Sequence, residues 1–166
     1  MKTDDNLKSA FAGESQANRR YIAFSKKAEQ EGFSQIAKLF RAASDAETVH
    51  ALNHLRVMKG VSTTSDNLKA ARDGEVYEHN IMYPDFIKDA EVENRKDAIT
   101  TFNYANEVEK VHSELYIKAI EAIESGKDLI SADIYVCQIC GYTVEVEAPD
   151  VCPICRSLKN QFKKID

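Results

Sequence analysis

Two stretches, Glu47-Thr48-Val49-His50 and Glu109-Lys110-Val111-His112, constrain this chain more than any other feature. Each is Glu-x-x-His inside a long helical pattern. Residues three apart lie on one helix face, one turn above each other, so each stretch aims a carboxylate and an imidazole at one point. Two such stretches on facing helices, joined by further glutamates, are the ligand set of a carboxylate-bridged metal pair inside a helix bundle. A single Glu-x-x-His is usually a solvated face. Two of them on separate helices, with a glutamate at comparable depth on each other helix, favour metal, because buried carboxylates without a cation are costly.

The helices can be read in order. No proline occurs before Pro84, and strand-like alternation is absent from the first 126 residues. Asp4-Asp5-Asn6 offers N-caps for a first helix. Leu7, Ala10, Phe11, Glu14, Ala17, Tyr21, Phe24 and Ala28 follow at steps of three and four, and Gly32 ends the pattern. Ser34 is placed to cap a second helix, which Gly60 would close. A third helix is expected from about Asp66 to Glu93, interrupted at Gly74 and kinked at Pro84, which cannot donate a backbone hydrogen bond. A fourth runs from about Arg95 to Glu124 and stops at Ser125-Gly126.

The two helix pairs read as a repeat at an offset of 62 residues, which pairs Tyr21 with Tyr83, Glu29 with Glu91, Glu31 with Glu93, Phe40 with Phe102, Glu47 with Glu109 and His50 with His112. Glu14 falls one residue out of step with Glu75, each following a glycine. Glu78 has no glutamate counterpart, since Gln16 holds that offset. The interior-facing candidates are therefore Glu14, Glu47, His50, Glu75, Glu78, Glu109 and His112, with oxygen and nitrogen donors suited to iron. His54 and His79 fall outside this pattern and read as surface or supporting residues.

Beyond Gly126 the composition changes. Residues 127–133 read as a linker, and residues 134–166 hold all four cysteines, Cys137, Cys140, Cys152 and Cys155, beside the β-prone runs Ile134–Val136 and Tyr142–Val144. So small a tail needs a metal staple. Two Cys-x-x-Cys knuckles supply four thiolates for tetrahedral zinc or iron, and spacing alone leaves both open. The net charge of −5 argues against a nucleic-acid binder. No run of eighteen apolar residues exists to span a membrane. The polar, acidic start shows no apolar signal region, so the expected location is cytoplasmic.

Four features together resemble rubrerythrin: Phe11-Ala12-Gly13-Glu14-Ser15-Gln16-Ala17, Met82-Tyr83-Pro84, the paired Glu-x-x-His stretches and the terminal cysteine pairs. The resemblance covers essentially the whole chain. It implies a mainly α protein, with a ferritin-like four-helix di-iron bundle over residues 1–126, a linker over 127–133 and a rubredoxin-like domain over 134–166. It implies that the seven interior-facing residues hold two irons and that Glu78 and His50 trade places at one of them on reduction. Tyr21 and Tyr83 match tyrosines that flank the cluster. Cys-Gly-Tyr and Cys-Pro-Ile-Cys resemble rubredoxin, favouring a single redox iron over zinc. Arg156 stands where many relatives have glycine, a departure that removes no ligand.

The activity so implied is reduction of hydrogen peroxide to water, an oxidative-stress reaction. Electrons would pass through the four-cysteine iron from an external reductase or rubredoxin, ultimately from a reduced nicotinamide cofactor. The competing readings are a ferroxidase or iron-handling protein and a non-catalytic electron carrier. A ferritin-like bundle needs a crossover between its parallel second and third helices. The second helix, roughly 26 residues, spans about 39 Å. The link from Gly60 to Asp66 reaches only about 20 Å. The expectation is a homodimer in which helix pairs are exchanged between chains.

Overall fold

In the computed structural model, which describes residues 1–166, helices fill the chain to Glu124: α1 (Lys2–Gln30), α2 (Ser34–Val57), α3 (Thr64–Tyr77), α4 (Tyr83–Val92) and α5 (Lys96–Glu124). A single π-helical segment, Glu78–Met82, joins α3 to α4. The strands β1 (Ile134–Cys137), β2 (Thr143–Glu145) and β3 (Phe162–Ile165) form one antiparallel sheet in the order β2-β1-β3. The chain divides into two compact units, Met1–Ser62 and Thr63–Asp166. The first is the α1–α2 hairpin. The second holds α3, α4, α5 and the strands.

The hairpin packs through small residues: Ser25, Ala28, Ala37, Ser44 and Ala51 are its buried positions. Asn18 ties the two helices together, its amide donating to the Ser44 carbonyl at 2.7 Å and to the Thr48 hydroxyl at 2.8 Å. Two small-residue seams in contact leave large apolar side chains uncovered, among them Leu39 and Leu52, 67% and 58% exposed.

The repeat extends to backbone geometry. Glu31 (φ −87°, ψ 0°) and Glu93 (φ −80°, ψ −4°) end α1 and α4. Gly32 and Asn94 follow in the left-handed region, at φ 84° and 58°. Phe33 (φ −92°, ψ 63°) and Arg95 (φ −89°, ψ 76°) then lead into α2 and α5. The Phe33 N–H reaches back to the Ala28 carbonyl and the Arg95 N–H to that of Ala90, both at 2.9 Å. These are matching Schellman closures, which satisfy carbonyls the helix end would orphan. Tyr21, Phe24 and Phe40 cluster at centroid spacings of 5.5–6.3 Å. Tyr83, Phe86 and Phe102 do the same at 5.7–6.3 Å.

The π segment accounts for the one-residue slip. Seven residues separate Glu14 from Tyr21, and eight separate Glu75 from Tyr83. A π turn absorbs one extra residue without ending the helix. Pro84 is therefore not a simple kink: the wider turn precedes it, and the proline sits in the first turn of α4, where its missing N–H costs little.

Several helix ends differ from what the sequence predicts. Asp4 and Asp5 do not cap α1; the helix starts at Lys2 and they occupy its first turn, where carboxylates oppose the helix dipole favourably. Ser34 is the first residue of α2, not its cap. Thr63 caps α3, accepting from the Asp66 N–H at 3.2 Å while its hydroxyl donates to the Asp66 carboxylate at 2.8 Å. Gly74 lies inside α3 and interrupts nothing. At the end of α2 the left-handed residue is Lys59 (φ 55°), not Gly60. A Cβ at Gly60 would meet the methyl end of the Leu55 side chain, which would have to shift.

Candidate metal centres

Three groups of metal-ligating side chains converge, each with donor atoms within 4.8 Å of one another: Glu14, Glu47 and His50; Glu75, Glu109 and His112; and the four cysteines. In the first unit, α1 supplies Glu14, and α2 supplies Glu47 and His50 from successive turns. His50 Nδ1 lies 3.0 Å from Glu47 Oε2. That contact, with Glu14 close by, holds the Glu47 carboxyl below its usual range.

The second group is drawn from α3 and α5. His112 Nδ1 lies 2.9 Å from Glu109 Oε2 and 3.7 Å from Glu75 Oε1. An ionised carboxylate only accepts, so with Glu109 ionised and no metal the imidazole proton resides on Nδ1. Burial, then the neighbouring Glu109 carboxylate, pushes Glu75 up to about 7. Burial also raises Glu109, Glu78 and the hydroxyls of Tyr83 and Tyr116. Carboxylates crowded until one holds its proton are what a cation would relieve. The donor set is carboxylate oxygen and imidazole nitrogen, which fits iron.

Glu78 stands on the π segment, close enough to Glu75 for its carboxyl to feel that charge, but outside the converged trio. Tyr21 and Tyr83 sit in the two aromatic clusters. The carboxylates of Glu109, Glu78 and Glu75 all act on Tyr83. His79 ties the π segment to α5, its Nδ1 donating to the Asn106 carbonyl at 2.8 Å. Asn18 and Ser44 hold the matching positions in the first hairpin. His54 joins no metal-ligating group. Sequence reasoning passes over Tyr116, one turn beyond His112 on the same face, whose hydroxyl responds to Glu75 and Glu109. Its i+4 spacing from His112 is the available signal.

On its other side, His112 Nε2 lies 3.0 Å from the Thr143 hydroxyl on β2, which in turn reaches the Gly141 carbonyl at 3.1 Å. A cavity of about 390 Å³ opens beside this contact, bounded by Leu68, Glu75, His112, Leu115 and Tyr116 among others.

In the cysteine module, Cys137 and Cys152 are buried and no disulfide is present. The Cys137–Cys155 and Cys140–Cys152 sulfurs are each 3.6 Å apart. A tetrahedral metal with bonds of about 2.3 Å holds its sulfurs about 3.8 Å apart, so the cage is the right size for one ion. Burial pushes the Cys137 thiol up, but hydrogen bonds from Ser157 and from the backbone N–H groups of Cys140 and Ile139 outweigh it and bring the thiol down to about 6. Burial drives Cys140 far up.

The family model described as Rubrerythrin matches residues 5–120, and that of the rubrerythrin rubredoxin-like domain matches residues 135–163. The chain belongs to the rubrerythrin family. Rubrerythrin-2 of Clostridium acetobutylicum is 35% identical, across 97% of this chain and 95% of that protein. Nigerythrin of Nitratidesulfovibrio vulgaris is 36% identical, across 96% and 85%. The solved structure of fully reduced, all-ferrous nigerythrin aligns with a TM-score of 0.59 at 33% identity, covering 98% of this chain and 86% of that one. Membership brings the mainly α fold with a small strand module, candidate iron sites of both kinds, and an oxidoreductase class. No helix is long and apolar enough to cross a membrane.

Proposed function

We propose that this rubrerythrin-family protein is a cytoplasmic non-haem di-iron peroxidase that reduces hydrogen peroxide to water. Two irons would be held by Glu14, Glu47, His50, Glu75, Glu78, Glu109 and His112, and a third by Cys137, Cys140, Cys152 and Cys155. The observation that carries the reading is the link inside the second unit: His112, Thr143 and Gly141 run in a hydrogen-bonded line from a carboxylate–histidine cluster to the residue after Cys140. A storage protein has no need of such a connection.

Bound iron would supply the two electrons that break the peroxide O–O bond, and an external reductase or rubredoxin would restore them one at a time through the thiolate module. The protein's own groups set the stage for this. Glu75, raised by burial and by Glu109, would give up its proton as a ligand. With Nδ1 of His112 as a ligand, its Nε2–H would donate to Thr143, whose hydroxyl donates to the Gly141 carbonyl. The π segment gives Glu78 a setting that no residue of the first hairpin shares, in keeping with an exchange between Glu78 and His50. Tyr83, held against Phe86 and Phe102, has a hydroxyl raised by burial and by the charges of Glu109, Glu78 and Glu75, which would keep it a potential donor beside the site; Tyr21 holds the matching place in the first hairpin.

The assembly proposed is a homodimer with exchanged helix pairs. Helix α2 has 24 residues, or about 36 Å. Residues 58–63 extend at most about 20 Å, too little for a crossover along it.

The test is stopped-flow reoxidation of the fully reduced, iron-loaded protein by hydrogen peroxide and by oxygen in parallel. Peroxide should react faster. Faster reaction with oxygen rejects the peroxidase and favours a ferroxidase.

A further inference from the structure

The four thiolates differ in what donates to them. The two knuckles are related by a near two-fold. The Gly141 N–H bonds the Cys137 carbonyl at 2.9 Å, and the Arg156 N–H bonds that of Cys152 at 3.1 Å. The Cys137 N–H bonds the Tyr142 carbonyl at 2.9 Å, and the Cys152 N–H bonds that of Ser157 at 2.8 Å. Gly141 and Arg156 are both left-handed, at φ 88° and 64°. Tyr142 and Ser157 therefore hold equivalent places with different side chains.

The Tyr142 ring leaves the sulfurs and packs edge-on against Phe162 at 6.3 Å. The Ser157 hydroxyl stays, 3.3 Å from Cys137 Sγ and 3.2 Å from Cys155 Sγ. Metal-bound thiolates carry no proton and can only accept, so with metal present the hydroxyl is the donor. Its geometry allows donation to Cys137; toward Cys155 only the reverse direction is aligned.

We propose that Ser157 tunes the four-thiolate iron: its hydroxyl donates to the Cys137 thiolate and raises the site's reduction potential. Sulfur carries more negative charge in the ferrous state, so a donor aimed at sulfur stabilises that state more than the ferric one. One electron enters from the external reductase and one leaves toward the carboxylate irons; the hydroxyl proton stays on Ser157 throughout. The module thereby accepts electrons more readily and passes them on with less driving force. This inference rests on the reading of the tail as an iron site.

The test is a redox titration of the full-length, iron-loaded protein, followed by the visible thiolate-to-iron absorption, for wild type, Ser157→Ala and Ser157→Thr. In Ser157→Ala the ferric-to-ferrous ratio at a fixed donor potential should rise about tenfold, equivalent to ~59 mV for one electron. Ser157→Thr, which keeps the hydroxyl, should stay within about twofold of wild type. An Ala variant with wild-type iron content and absorption and an unmoved midpoint overturns the proposal, as does an equal shift in Thr. The zinc-loaded wild-type protein gives a reading that needs no variant. The Ser157 hydroxyl proton should be protected from exchange and close to the Cys137 β-protons by NMR; a freely exchanging hydroxyl overturns the proposal. The titration uses no peroxide, so a failed peroxidase assay leaves it standing. A tail that accepts no iron overturns this inference and the electron-relay reading together.

Discussion

The two carboxylate–histidine clusters descend from one pattern yet are electrostatically unlike. In the first, the His50 side chain is 53% exposed and Glu47 is held ionised. In the second, His112 is 28% exposed, and Glu75 is pushed up to about 7 against Glu109. The same Glu-x-x-His spacing thus yields an open, charged half and a crowded half that retains a proton. The π segment and the strand module belong to the second half alone. On the proposed function, the half that contacts the strand module would receive the electrons and the open half would hold the ligand that moves.

The largest effect should come from separating the halves onto different chains. A Glu47→Ala/His50→Ala chain and a Glu109→Ala/His112→Ala chain should each lose peroxidase turnover by at least about a hundredfold, since losing ligands exceeds the usual cost of disturbing their supports. Co-expressed, they should recover about a quarter of wild-type turnover. Random pairing makes half the dimers mixed, and with exchanged helix pairs each mixed dimer has one of its two sites intact. No recovery in a demonstrably mixed dimer rules out the exchange.

Next in size is the π segment. Deleting Asn80 would give the second pair the seven-residue spacing of the first and remove the wider turn on which Glu78 stands. Iron affinity, read by competition with a chelator, should fall about 10–100-fold. Unchanged affinity would mean the extra residue is idle.

The third test is the proton on Glu75. Its folded-state value of about 7 lies above the ordinary 4.5. The stability it contributes is therefore complete below about pH 4.5 and is lost as pH rises through 7. Metal-free protein should be less stable to urea at pH 8 than at pH 5 by about 2 kcal/mol, allowing for partial exposure. Glu75→Gln should flatten that slope. If the slope survives in Glu75→Gln, another group carries it.

Much of this is legible in the chain. The offset of 62 identifies the two hairpins, and the slip between Glu14 and Glu75 already contains the π segment, though only as a misalignment. It does not read as a π turn because Pro84 offers a simpler explanation for any irregularity there. Phe24 and Phe86 share the offset but look like ordinary core residues until their rings meet Tyr21 and Tyr83. His79 has no sequence explanation, since its partner is a backbone carbonyl 27 residues away. Thr143 and Ser157 are invisible for the same reason: a hydroxyl's function depends on what it faces. The expected caps fall one to five residues from the observed ones because several polar side chains compete for each helix start.

The smallest effect probes the closures that match best. Gly32 and Asn94 hold the same left-handed position in the two hairpins, at φ 84° and 58°. Asparagine tolerates that region better than any residue with a larger side chain, but still less well than glycine. Asn94→Gly should therefore change the stability of the second hairpin by only a few tenths of a kcal/mol, because relief of the left-handed strain is offset by the greater entropy of an unfolded glycine. Gly32→Ala should cost about 1 kcal/mol, since alanine has no polar side chain to ease the same backbone. Equal and negligible effects from both, measured by urea unfolding, would show that the turns are held by the Ala28 and Ala90 carbonyl bonds and the packing around them, and that the left-handed residue is incidental.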